Sequence, residues 1–68
     1  MILQGIVSNI KEDSYKVFIK EKNFLSNWLQ KCLDVRDISI GDIVVVAFYD
    51  ATLSQGVVIG VLETTGGD

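Results

Sequence analysis

Two apolar, β-branched runs, Ile43 to Tyr49 and Val57 to Leu62, flank one polar loop, Asp50 to Gln55. They read as a β-hairpin whose strands are apolar on both faces. Successive side chains of a strand point to opposite sides, so Ile43, Val45, Ala47 and Tyr49 face one way and Val44, Val46 and Phe48 the other. Val57, Ile59 and Val61 likewise oppose Val58 and Leu62. One set of each fills a core. The other would face water, and apolar patches above roughly 300–600 Å² on a soluble monomer usually mark an interaction site. A cyclic homo-oligomer buries such a patch against its own copies. The alternative cover is internal: the amino terminus and the long loop Asp34 to Ile40.

Length sharpens the problem. With 68 residues the chain is one domain, and a fold of this size buries only about 60% of its unfolded surface. Small folds are commonly reinforced by disulfides, a metal or a partner chain. One cysteine, Cys32, cannot close an internal disulfide, and without histidine or a second cysteine there is no zinc cage. Oligomerisation is the reinforcement left. Met1 to Gly5 has no basic region or long apolar stretch, and the run Ile43 to Tyr49 is too short to cross a bilayer as a helix. Synthesis in a cytoplasm, with no membrane anchor, is expected.

Along the chain, Ile2 to Ile10 is rich in Ile and Val, and the polar cluster Lys11-Glu12-Asp13-Ser14 reads as a turn. Tyr15, Val17 and Ile19 then alternate with Lys16, Phe18 and Lys20, the period of a half-buried strand, with Phe18 directed away from the interior. From Phe24 to Leu33 the signal is divided. Phe24, Leu25, Trp28, Leu29, Cys32 and Leu33 fall at helical spacing, which taken alone favours a helix over a strand. Gly41-Asp42 is a turn dipeptide able to take positive φ before the Ile43 strand. Many short strands and tight turns predict an all-β, small five-stranded closed barrel over residues 1–63, since closure removes exposed edges. The last residues, 64–68, read as a flexible C-terminal tail.

Little in the sequence carries catalytic chemistry. Cys32 has no histidine to activate it and reads as a small buried hydrophobe. Asp34, Asp37, Asp42, Asp50 and Glu63 fall in turns and at strand ends, where such side chains bond nearby backbone amides. Six glycines form no phosphate-binding motif, and Gly5, Gly56 and Gly60 lie inside strand patterns, where glycine marks a bulge, a sharp coil or a close backbone approach. Neither a cofactor nor a metal is implied. Lys16, Phe18, Lys20 and Lys22 share one strand face, the pattern of a single-stranded nucleic-acid binder that stacks a base and neutralises phosphates. Six Lys and Arg against nine Asp and Glu, a formal charge of −3, argue against that as the main business of the chain.

Three stretches together resemble a known family. Gln4-Gly5-Ile6-Val7-Ser8-Asn9-Ile10 leading to Tyr15-Lys16-Val17-Phe18-Ile19 is similar to its first hairpin. Ser26-Asn27-Trp28-Leu29-Gln30 resembles its third strand. Ile40-Gly41-Asp42-Ile43-Val44-Val45-Val46-Ala47-Phe48, with Leu53-Ser54-Gln55-Gly56-Val57-Val58-Ile59-Gly60 after it, resembles its closing hairpin. The family is the phage baseplate assembly protein V family, spike-hub proteins of contractile tails related to the hubs of type VI secretion spikes. The likeness spans residues 2–62 and implies an OB-fold, in which Phe24 to Leu33 is mostly strand. It implies a structural, non-enzymatic hub assembling as a homotrimer in a virion tail baseplate, made in the bacterial host cytoplasm. Its partners would be tail tube and spike-tip proteins. Family members commonly continue into a β-helical spike with a metal-bound histidine tip; this sequence stops after the barrel and has no histidine, so it resembles the hub alone. The positions expected at the oligomer interface are Trp28, Val44, Val46 and Phe48, with Phe18 as an outlying contact.

Overall fold

The computed structural model of the protein describes residues 1–64. Six strands, β1 (Ile2–Lys11), β2 (Ser14–Ile19), β3 (Phe24–Leu25), β4 (Gln30–Lys31), β5 (Ile43–Phe48) and β6 (Gly56–Glu63), form one curled, half-barrel sheet. Their order is β3-β2-β1-β5-β6-β4. All pairings are antiparallel except β4 with β6. Of the predicted elements, the four long strands lie where the apolar patterns placed them. The contested segment holds no helix: it is extended at both ends and broken between β3 and β4. The expected tail, 64–68, falls outside the described residues apart from Thr64.

The break has an identifiable cause in Ser26. Its buried hydroxyl accepts a hydrogen bond from the Val17 amide at 2.9 Å and donates to the Asn27 carbonyl at 2.7 Å. The Ser26 amide still donates to the Val17 carbonyl at 2.9 Å, so the side chain takes the place of only the return bond of that rung. Pairing resumes beyond it, where Tyr15 and Leu29 exchange both backbone hydrogen bonds at 2.8 Å. The helical spacing of Phe24 to Leu33 loses to these backbone partners, which an isolated helix could not supply.

Three connections set the geometry. The β1–β2 turn uses two residues, Glu12 and Asp13, with Glu12 at φ 54°. Gly41 takes φ 96°, the left-handed backbone expected of it. Its amide donates to the Val7 carbonyl, while the Val7 amide donates to the Asp42 carbonyl, so this turn is stitched to β1. The buried Asp42 carboxylate accepts the Ser39 amide at 2.9 Å. Asp50 does the same for Thr52, accepting its amide and hydroxyl. Both carboxylates therefore do the turn-building work read from the sequence.

One core fills the curl. Leu3, Val7, Tyr15, Val17, Ile19, Leu29, Val44, Val46, Phe48 and Val58 come from the sheet, and Val35, Ile38 and Leu53 come from loops. Fully burying a Val- or Leu-sized side chain contributes about 1.5–3 kcal/mol, so these loop residues matter to so small a fold. Cys32 is half-buried against the same core. Gly5 faces inward on β1, where a Cβ would lie 2.6 Å from the Phe18 carbonyl oxygen and from Val17 Cγ1. Only glycine lets β2 curl so closely over β1.

Candidate interaction surface

Alternation divides β5 cleanly, and it does so opposite to the expectation for the interface. Val44, Val46 and Phe48 are core residues with 0%, 0% and 3% of their surface exposed. They cannot contact another copy while the fold is intact. The Phe48 backbone is bonded to Met1, just ahead of β1, and Val46 faces Leu3 and Val58 across both neighbouring strands. The outward set is Ile43, Val45 and Ala47, all half-buried between β1 and β6.

Strand β6 departs from simple alternation. Its register to β5 shifts between Ile43 and Val44 and again between Val45 and Val46. Each shift inserts an extra residue, a β-bulge, and re-aims the side chains after it. Val58 and Val61 therefore both pack inward, while Ile59 and Leu62 stand exposed. The sequence grouping of Val57, Ile59 and Val61 on one face is corrected accordingly.

Outward residues line up across the sheet. Leu25 pairs with Phe18, Phe18 with Ile6, and Ile6 with Ile43. Ile6 and Leu25 are 42% and 46% exposed, and Phe18 is half-buried between them. Four strands thus present one continuous apolar row. Beside it lies a groove of about 660 Å³ lined by Gln4, Gly5, Ile6, Lys20, Glu21 and Ile43, with one cation and one anion at its rim. The internal cover considered from sequence is otherwise engaged. Loop 34–40 sends Val35 and Ile38 into the core, and Ile2 at the amino terminus is itself 66% exposed.

Of the expected interface positions, Phe18 and Trp28 lie at the surface. Trp28 occupies the break between β3 and β4, is 42% exposed, and carries the Lys16 ammonium 5.4 Å from its ring centroid. Lys16 is thereby engaged with an aromatic ring. Phe18 has apolar cross-strand neighbours, Ile6 and Leu25. Lys20 has left the strand for a short 3₁₀ turn, Lys20–Lys22. The lysine and aromatic stripe read along β2 is therefore not one uniform face.

Two groups have shifted titration, one in the core and one in the β5–β6 turn. Burial, with smaller contributions from the Asp13 and Asp37 carboxylates, pushes the Tyr15 phenol above its ordinary value. The Thr52 hydroxyl, aided by backbone amides of the same turn, holds the Asp50 carboxyl below its own.

Sequence reasoning missed Ile6, Leu25 and Ile43. The signal that could find them is cross-strand register, and the bulge at Ser8 in β1 hides it. Comparison with protein-family models, curated proteins and solved structures finds no match.

Proposed function

We propose that this protein is a structural hub of a contractile phage tail or tail-derived particle, three copies forming a ring that joins the tail tube to a separate spike tip. The observation that carries self-assembly is the row Leu25–Phe18–Ile6–Ile43, an apolar stripe on the outside of a sheet whose inside is already filled. The tail context and the ring of three rest on the family resemblance of residues 2–62. We read β3 and β4 as two parts of one third strand, antiparallel to β2 and parallel to β6, so that the sheet closes as a five-stranded OB barrel. The Tyr15–Leu29 pair and the Cys32 amide bond to the Val58 carbonyl at 3.0 Å support that reading. Interface positions move from the core residues to Ile6, Phe18, Leu25 and Ile43.

Native mass measured at micromolar concentration tests the reading. A trimer that falls to a folded monomer on Ile6→Asp is the expected result; a wild-type monomer would remove self-assembly from the function. The rival, a single-stranded nucleic-acid module using Lys16, Phe18 and Lys20, has one observation in its favour, the Lys16–Trp28 contact. It requires salt-dependent binding of an oligonucleotide that Phe18→Ala abolishes.

A further inference from the structure

A second concavity, away from the apolar row, has a different character. Trp28 and Tyr49 line a cleft of about 350 Å³ whose other side chains include Ser14, Gln30, Ser54 and Gln55. The volume is at the lower end of the roughly 300–1,000 Å³ range of small-ligand sites. The cleft is built from three separate parts of the chain: the start of β2, the β3–β4 break and the β5–β6 loop. The Asn27 side-chain amide donates to the Ser54 carbonyl at 3.0 Å and ties two of these parts together. Leu29, in the cleft floor, is locked to Tyr15 by paired backbone bonds. The site is therefore held by the fold.

Its lining is aromatic and neutral-polar at once. Tyr49 is 68% exposed and Trp28 42% exposed, large fractions for aromatic side chains on a chain with few of them. Among the described residues, the Gln30 and Gln55 side-chain amides have no hydrogen-bond partner within the chain. Each amide offers both donors and an acceptor. No charged side chain lines the cleft. Lys16 caps the Trp28 ring, and two carboxylates adjoin the lining in sequence: Asp13, beside Ser14, and Asp50, beside Tyr49 and held by Thr52.

We propose that this cleft binds an uncharged oligosaccharide of hexopyranose units. A pyranose ring has a C–H face that packs on an aromatic ring, and a rim of hydroxyls that both donate and accept. Trp28 and Tyr49 supply the aromatic platforms, and Gln30, Gln55 and Ser14 match the hydroxyls. A nucleic-acid strand would bring a phosphate for every base to a cleft whose lining holds no cation and beside which Lys16 is already engaged with Trp28, on a chain of net charge −3. The neutral ligand is the better fit.

Trp28 is the sole tryptophan, so its emission reports the cleft without interference. The full chain is titrated with chitotetraose, cellotetraose and maltotetraose, and separately with a thymidine oligonucleotide, while native mass is recorded on the same samples. A saturable change in Trp28 emission with at least one sugar at millimolar concentration, insensitive to added salt, is expected. Tyr49→Ala and Gln55→Ala, each checked for folding by circular dichroism, should weaken that binding by about tenfold. The proposal is overturned by no response to any of the three sugars. It is equally overturned by a response that both variants retain, which would put the sugar elsewhere. A salt-sensitive response to the oligonucleotide alone would assign the cleft to nucleic acid, and a trimer whose Trp28 ignores every sugar would assign it to the ring contact.

Discussion

Val44 and Val45 are adjacent in β5 and chemically identical, yet Val44 is wholly buried while Val45 faces outward, half-covered. The same holds across the sheet, where Val17 and Val7 lie inside and Phe18 and Ile6 outside. Residue type does not separate the two faces. What does is the set of neighbours each face acquires: the inner one collects Val35, Ile38 and Leu53 from loops, and the outer one collects none of them. An apolar residue is part of a core only when the chain returns to cover it. The outer face is therefore left for something other than the chain's own loops.

Charge placement breaks the comparison most directly. Val46→Asp puts an unpaired carboxylate into the core, at a cost of several kcal/mol. That is comparable with the roughly 3–5 kcal/mol a core this small supplies, so the variant should be unfolded by circular dichroism. Ile43→Asp, on the outer face of the same strand and in the proposed interface row, should keep the wild-type spectrum and melting curve to within a few degrees, and under the proposed assembly its native mass should drop to the monomer. Equal damage from both substitutions would mean that the two faces are not distinct.

Leu53 shows how strongly the inner face recruits side chains. It is buried although its φ is 59°, a backbone region that costs a bulky residue about 1–2 kcal/mol. Leu53→Ala should lose about 2–5 kcal/mol through the cavity it leaves. Leu53→Gly removes more side chain but also relieves the strain. It should therefore be no less stable than the alanine variant in urea denaturation, the reverse of the usual ranking.

The outer row was hidden from sequence reading for a specific reason. From the Glu12–Asp13 turn, counting back along β1 without interruption would pair Phe18 with Val7. The bulge at Ser8 moves the pairing by one, so that Ile6 meets Phe18 and Val7 turns inward. Bulges in β6 have the same effect on Ile59 and Leu62. Element positions survive such insertions because they depend on apolar density and turn residues, both local properties. Faces do not, because one inserted residue reverses all that follow. Gly41, Asp42 and Asp50 were legible since each acts within a few residues of itself. The Trp28 cleft was not, since its walls come from three distant segments.

Two glycines extend the contrast at smaller magnitude. At Gly5, on the inner face, an added Cβ would meet backbone at 2.6 Å, and the strand must shift to admit it. Gly5→Ala should cost about 1–3 kcal/mol. At Gly60, in the bulged part of β6, a Cβ would meet nothing within 4 Å. Gly60→Ala should be neutral or stabilise by up to about 1 kcal/mol, because it restricts the unfolded chain. Chemical denaturation of the pair gives the difference directly. A Gly60→Ala as costly as Gly5→Ala would remove the contrast between the two positions.

The smallest effects separate the faces by pH. Tyr15 belongs to the core and Asp50 to an exposed turn, and their shifts run in opposite directions. A phenol raised above its ordinary value of 10.0 contributes stability that is complete below that pH and is lost as pH climbs through the folded value. The unfolded chain ionises first, so alkali favours unfolding. A carboxyl lowered from 3.8 contributes stability that is present above that pH and lost as pH falls through the lower folded value. Since Asp50 is fully exposed, its loss should loosen the 50–55 loop rather than the whole fold. Amide NMR should therefore show the Thr52 resonance moving below about pH 4, with Asp50→Asn removing the transition. Thermal melts should fall above about pH 10, and less steeply in Tyr15→Phe. If Tyr15→Phe leaves the alkaline melt unchanged, another group on the inner face is responsible and Tyr15 is not the residue that ties core integrity to pH.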